Sequence, residues 1–521
     1  MDDTNNISDC ENALTNRSDH PGQAAGTETE TVVDELYDHP QKEQNSYRSI
    51  LKGTSILGGV QFFQILISIV RGKFVAMFLG PAGMGISSLF YTAGQTIQQL
   101  STLGLNIAIV KEVAARKHDE NALHTAIAVA KKLLIFTSLL GALVCLLFAM
   151  PLSRLTFGSE DYYWQFMLLS VMIFFGVAGQ GFISILQGLH KIKLVSATTI
   201  TGSVIGLVVG VPLYALIGTK GIVPAMAILA FSVFVAALIG VRRAVPDYRG
   251  TFEWQSHKPL VKKLITLGMI LMASDAIASG CNYLTNLFIR TFGEMANVGL
   301  FQAANSLTNQ YSGIVFTAMM IDFFPRLSAS AADNLKVREI VNRQLEIITL
   351  IVCPLICLLI LAAPLVVDLL LTKEFMPVVP LLRWLGLGVM VKAVMYPLGY
   401  ITFAKDNKRL FFWLEGVFCN LLTLGLSCLF FYFYGLIGLG VSLVVDCALC
   451  FVVYYVVNAR LYGYSLSRKA LLRIVLTLAL GVGCFASSLI TVGWLSYTLM
   501  AIAALLACAR SVTVLRRLIK K

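Results

Sequence analysis

Charged side chains are scarce in this chain: Asp, Glu, Lys and Arg make up 13% of its 521 residues, against about 25% in a soluble globular protein. That shortage argues against a soluble multidomain enzyme, a disordered protein and a nucleic-acid binder. Nucleotide and metal motifs are missing as well. There is no G-x-x-x-x-G-K-[ST], and no H-E-x-x-H among the six histidines, so the chain shows neither a P-loop ATPase nor a zinc-protease signature. Ten of the 11 cysteines fall inside apolar segments, the exception being Cys10. Cys447 and Cys450 form a C-x-x-C on an apolar helix without a neighbouring histidine, which reads as small buried hydrophobes rather than a metal or redox centre. Long loops are lacking too. The largest internal one, 241–263, is too short for a catalytic domain.

What the chain has is hydrocarbon. Hydrophobic residues reach 57% and the mean hydropathy is +0.76. Many apolar runs approach ~20 residues, the helix length that crosses a bilayer core of ~30 Å. Fourteen spans are predicted, near 53–70, 85–109, 133–150, 164–186, 195–217, 221–240, 264–289, 297–324, 344–371, 377–402, 411–433, 436–457, 471–490 and 493–509. The connections alternate in charge: 33 of the 41 Lys and Arg residues fall on one side and six on the other, with Arg383 and Lys392 inside spans. The positive-inside rule then places both termini in the cytoplasm. The net charge of +12 and pI near 9.1 thus report membrane orientation before any affinity for nucleic acid. Residues 1–45 hold 11 acidic residues against Arg17 and Lys42 and contain no apolar run, which predicts a disordered acidic tail and not a signal peptide.

The chain repeats itself. Leu79-Gly80 through Gly85 resembles Phe292-Gly293 through Gly299 at an offset of 213 to 214, Lys193-Leu194 matches Arg409-Leu410 at 216, and Gly221 matches Gly438 at 217. Each half holds six spans, an even number, so both insert in the same orientation and are related by an axis along the membrane normal. The predicted fold is an all-α polytopic membrane protein: an acidic cytoplasmic tail (1–47), a first lobe (48–243), a second lobe (244–460), and two extra spans with a basic cytoplasmic C-terminus (461–521). Two facing lobes create a central cavity suited to alternating access.

Ionisable groups within spans cost ~2.5–3.5 kcal/mol on the insertion scale and therefore face a cavity or a partner. Lys392 lies mid-span, too far from either end to snorkel easily. Arg71 and Lys73 end the first span, as cavity groups or interfacial anchors, and Arg290 occupies the equivalent place in the second half. Cations from both lobes at one depth suit an anion held between them. Asp275 and Asp322 are candidates for pairing with Lys392 or for carrying a coupling proton. Glu415 opens a span, where it favours a helix N-terminus, and Asp368 and Asp446 carry no specific signal. Gln95, Gln98 and Gln99, Asn282 and Asn286, and Gln302, Asn305 and Asn309 form amide groups at helical spacing. They are either interhelical glue or a stripe facing a sugar-accommodating cavity.

LGPAGMG at 79–85, VKEVAARKHDEN at 110–121, VGLFQAANSLTNQY at 298–311, FPRLS at 324–328 and VKAVMYPLGYITFAK at 391–405 carry a resemblance. In their order over residues 50–460 they resemble the polysaccharide-exporting flippases of the multidrug/oligosaccharidyl-lipid/polysaccharide superfamily, in the Wzx-type O-antigen and lipid III (enterobacterial common antigen) branch. The resemblance implies two six-helix lobes in a multidrug-exporter-like (MATE-like) arrangement in a bacterial inner membrane. It also implies translocation of an undecaprenyl-pyrophosphate-linked oligosaccharide from the cytoplasmic to the periplasmic leaflet, without catalysis, metal or cofactor, beside polysaccharide polymerase machinery. Lys73, Lys392 and Gln302 fall on residues of that branch, and Arg71 resembles a cavity arginine of related lipid II flippases. The acidic tail and last two spans depart from the pattern.

Rival functions remain open. A Na⁺- or H⁺-coupled multidrug exporter calls for an acidic, aromatic cavity, which the basic candidates disfavour. A membrane glycan polymerase or ligase calls for a large periplasmic loop, and here those loops are short.

Overall fold

A computed structural model describes residues 27–117, 119–246, 254–490 and 492–519. The chain divides into a unit ending at Gly59 and a second unit, Val60–Lys521. The first is a helical run from Thr27, so helical backbone begins inside the stretch expected to be a disordered tail. Residues 1–26 of that predicted tail lie outside the described residues.

The second unit is helical throughout. Its elements are α1 (Thr27–Thr102, shared with the first unit), α2 (Leu105–Ala115), α3 (Glu120–Leu147), α4 (Ala149–Phe157), α5 (Tyr163–Gly188), α6 (Ile192–Ile217) and α7 (Ile222–Ala244). These are followed by α8 (Trp254–Phe292), α9 (Met295–Ala329), α10 (Asn334–Leu370), α11 (Val378–Ala404), α12 (Lys408–Phe411), α13 (Asn420–Tyr462), α14 (Arg468–Ser487) and α15 (Gly493–Ile519). Nine helical stretches among the described residues are long and apolar enough to cross a bilayer, which makes this a multi-pass membrane protein. Three of the nine are broken internally: at Gly80, at the 3₁₀ turn Gly218–Gly221 and at Gly435. α8 and α9 fall outside the nine. α8 carries the amides Asn282 and Asn286, and α9 carries Gln302, Asn305 and Asn309.

Backbone breaks recur at the repeat spacing. Gly218 (φ 62°, ψ −135°) and Gly435 (φ 59°, ψ −143°) are 217 residues apart. His190 (φ 55°) and Asp406 (φ 56°) are 216 apart. Each of these two precedes a helix N-cap of matching geometry, Lys191 (φ −84°, ψ 61°) and Asn407 (φ −83°, ψ 67°). Packing repeats too: α3 lies against α5 and α5 against α7 in the first half, as α10 lies against α11 and α11 against α13 in the second.

One predicted span, 85–109, is interrupted. Leu103 (φ 48°) and Gly104 (φ 64°) are left-handed between α1 and α2. The reason is close approach, since a side chain at Gly104 would strike the backbone of Gly268 in α8, and only glycine fits such a crossing without cost.

α14 and α15 pack on α10 and on each other. The contact is specific: Arg473 pairs with Glu346, the Trp384 and Phe485 rings meet at 4.5 Å, and Arg383 donates to the Ser488 carbonyl at 3.3 Å. Ser488 is the C-cap of α14. Arg383, an unexplained span cation in the sequence, therefore serves an orphan helix carbonyl.

Candidate functional site

A cavity of about 670 Å³ is walled by α1, α2, α5, α6, α7 and α9. Much of its polar lining comes from α1. Ser88, Tyr91, Gln95, Gln98 and Thr102 recur at steps of three and four along α1, so they share one face. The break at Gly80 redirects the chain between this stretch and the preceding one, which contributes Ser68 and Arg71. Gln95 donates to the Tyr91 hydroxyl at 2.8 Å, and Gln98 approaches Met172 Sδ at 3.3 Å. The far wall is paved with small and apolar residues, among them Gly176, Gly206 and Ala230. A side chain at Gly206 would meet Leu229, so the glycine lets α6 and α7 close on each other beside the cavity.

A second cavity of about 300 Å³ adjoins the first and shares Gln302 and Ser306 with it. Gln61, Asn305, Asn309 and Gln310 line it. Asn309 donates to Asn305 at 2.9 Å, and Gln310 donates to Ser68 at 3.2 Å, tying α9 to α1. The Gln310 amide oxygen is buried with no hydrogen-bond partner among the described residues. Arg71 is the charged residue among those lining the two cavities. A guanidinium surrounded by amides and hydroxyls can bind an anionic group with bidentate hydrogen bonds and leave uncharged donors and acceptors for an attached polar chain.

Of the sequence candidates, the structure brings Arg71 and Gln302 together in this cavity. Lys73 and Arg290 do not line it. Lys73 donates to the Leu369 carbonyl and Arg290 to the Phe157 carbonyl. Lys392 is half-buried elsewhere, its ammonium 5.9 Å from the Phe316 ring centre and within electrostatic reach of Asp446. Asp322 pairs with Arg326 on its own helix rather than with Lys392, and Asp275 is exposed on α8.

A polar cluster that the sequence did not single out joins the segment Phe412–Cys419 to α13. Asp446 is buried and accepts from Thr423 at 2.8 Å. Tyr454 donates to Glu415, and Cys450 stands 3.3 Å from Cys419, not against Cys447. The available signal was spacing: Asp446, Cys450, Tyr454 and Asn458 follow one another at steps of four, and all are buried.

Comparison with known proteins agrees with this architecture. The family model described as polysaccharide biosynthesis protein matches residues 50–331. Lipid III flippases of Escherichia coli (strain K12) and Shigella flexneri are each 24% identical over 366 residues, 70% of this chain and 87% of theirs. Among solved structures, the lipid II flippase MurJ in an inward closed conformation is similar over 90% of this chain and all of that one, with a TM-score of 0.66 at 13% identity. An inward-facing multidrug resistance MATE family transporter of the MOP superfamily is similar over 80% of this chain and 95% of its own, with a TM-score of 0.62 at 18% identity.

Proposed function

The chain belongs to the polysaccharide biosynthesis protein family, and from that premise we propose that it is a flippase for an undecaprenyl-pyrophosphate-linked oligosaccharide. The observation that carries this reading is the pair of adjoining cavities, with Arg71 in one and an amide-lined extension in the other. A pyrophosphate cannot enter hydrocarbon unassisted because desolvating its charge is prohibitive. Arg71 replaces part of its hydration with directed hydrogen bonds. Gln302 stands where the cavities meet, and the amides beyond it accommodate sugar hydroxyls. The lipid tail stays in the bilayer. The flippase names of the two bacterial relatives support the same substrate class.

The accompanying organisation is alternating access between lobes 48–243 and 244–460, fourteen spans in all, with both termini cytoplasmic and the chain in the bacterial inner membrane. Movement runs from the cytoplasmic to the periplasmic leaflet, where a polymerase takes the repeat unit. A drug exporter for cations fits less well, because the charge facing the cavities is positive.

The test is a strain lacking this gene. Its undecaprenyl-linked glycans are extracted and assigned to a leaflet. Cytoplasmic accumulation, cleared by the intact chain and not by Arg71→Gln, supports the reading. An unchanged lipid pool with drug hypersensitivity overturns it in favour of the exporter.

A further inference from the structure

Lys73 and Arg290 are 217 residues apart, the spacing that relates Gly218 to Gly435, and they do the same thing in opposite directions. Lys73, in the first half, donates to the Leu369 carbonyl in the last turn of α10, in the second half. Arg290, in the second half, donates to the Phe157 carbonyl, the last residue of α4, in the first half. Carbonyls in a last helical turn have no intrahelical partner and lie at the negative end of the helix dipole. α10 has no basic residue of its own in that turn. The one in α4, Arg154, is turned to Glu160. Each helix end therefore takes its cation from the other half.

The surroundings fit a docking point. Gly158 is left-handed (φ 68°), and a side chain there would strike the Arg290 guanidinium. Phe157 is fixed by stacking on Tyr162 at 4.0 Å and by Phe90 at 4.9 Å. Thr156 and Tyr283 hydrogen-bond across the halves at 2.7 Å beside it. Nearby, Gly85 and Gly299 let α1 and α9 touch backbone to backbone. All these contacts lie toward the Gly80 end of the stretch of α1 that ends at Thr102.

We propose that Lys73 and Arg290 form a reciprocal latch, each cation of one half seated on a helix C-terminus of the other, and that its release opens that end of the transport path. The purpose of the latch rests on the flippase reading; its geometry does not. Two latches acting on one opening multiply, so losing both has the larger effect. They are positioning residues, and the ligand is left to Arg71.

The experiment uses the full chain in phospholipid nanodiscs, read by hydrogen–deuterium exchange. Loss of one charged hydrogen bond is expected to raise opening on the order of tenfold. In Lys73→Met/Arg290→Met, exchange within 152–166 and 366–378 rises at least that much, while 345–360 and 100–116 do not rise. Single variants give smaller increases, and Lys73→Arg with Arg290→Lys restores protection. Gly158→Ala, which keeps both charges, raises exchange at 152–166 alone. A monodisperse double variant with unchanged exchange overturns the latch, as does a uniform rise over every segment. Undecaprenyl pyrophosphate binding, measured on the same samples, separates the readings. Retained affinity in the double variant supports the latch, and lost affinity with unchanged exchange returns both residues to the binding site. If the unmodified chain does not bind this probe, the flippase reading fails while exchange still judges the latch.

Discussion

Lys263 of α8 reaches Glu112 of α2 at 2.8 Å, an ion pair between the two halves. Arg116, one turn on, holds the same carboxylate at 2.8 Å. Glu112 is buried, while the Lys263 side chain is 63% exposed. Removing either partner is thus unequal. Lys263→Met leaves Glu112 paired with Arg116 and costs about 1 kcal/mol or less, the usual worth of an exposed pair. Glu112→Gln removes the carboxylate from both cations and so breaks the tie between α2 and α8. Exchange at 103–116 is expected to rise several-fold in Glu112→Gln and by less than twofold in Lys263→Met. Equal increases would mean that Arg116 takes no share.

The glycine crossing of α2 and α8 gives a second prediction. Gly104 is left-handed and against Gly268, so Gly104→Ala meets both a backbone penalty of about 1 kcal/mol and a steric clash. Thermal unfolding in detergent is expected to fall by several degrees. Gly280→Ala, where nothing lies within 4 Å, serves as the comparison and is expected to leave the midpoint unchanged.

Gln302 lines both cavities, and under the proposed flippase reading it contacts the glycan rather than the pyrophosphate. Gln302→Leu removes hydrogen bonding without adding charge. Affinity for a lipid-linked oligosaccharide is expected to weaken by about tenfold, equivalent to ~1.4 kcal/mol, while affinity for bare undecaprenyl pyrophosphate stays within about twofold. A parallel loss for both ligands would place the glycan elsewhere.

Lys392 and Asp446 offer a charge-pair test. If they act on each other, Lys392→Met leaves a buried carboxylate unbalanced, and Asp446→Asn leaves the ammonium so. The double variant should then recover part of the stability that each single variant loses, with a coupling of about 0.5–3 kcal/mol. Strict additivity in thermal denaturation would show that Lys392 answers to Phe316 and not to Asp446.

Much of the fold was legible because hydropathy and charge are local quantities. An apolar stretch must satisfy its backbone internally and becomes a helix whatever its neighbours do. The repeat was legible for a related reason: left-handed breaks at His190 and Asp406, or at Gly218 and Gly435, leave marks in nearby residues at a constant offset. Gln95, Gln98 and Gln302 were recognisable as polar residues on apolar helices, and they line the cavity.

Side-chain destination was not legible. Arg71 and Lys73 are two residues apart, which at 3.6 residues per turn separates them by about 200° around the helix. Sequence proximity made them one cluster; the helix sends Arg71 to the cavity and Lys73 to Leu369. Arg290 and Phe157 are 133 residues apart, and Lys73 and Leu369 are 296 apart. No local pattern encodes such meetings, because a carbonyl acceptor exists at every residue and only packing decides which helix end meets which cation. The sequence by itself determined a helical, repeated membrane protein with too few charges to be anything soluble. The tertiary structure alone decided which of those charges face the cavity and which fasten the halves together.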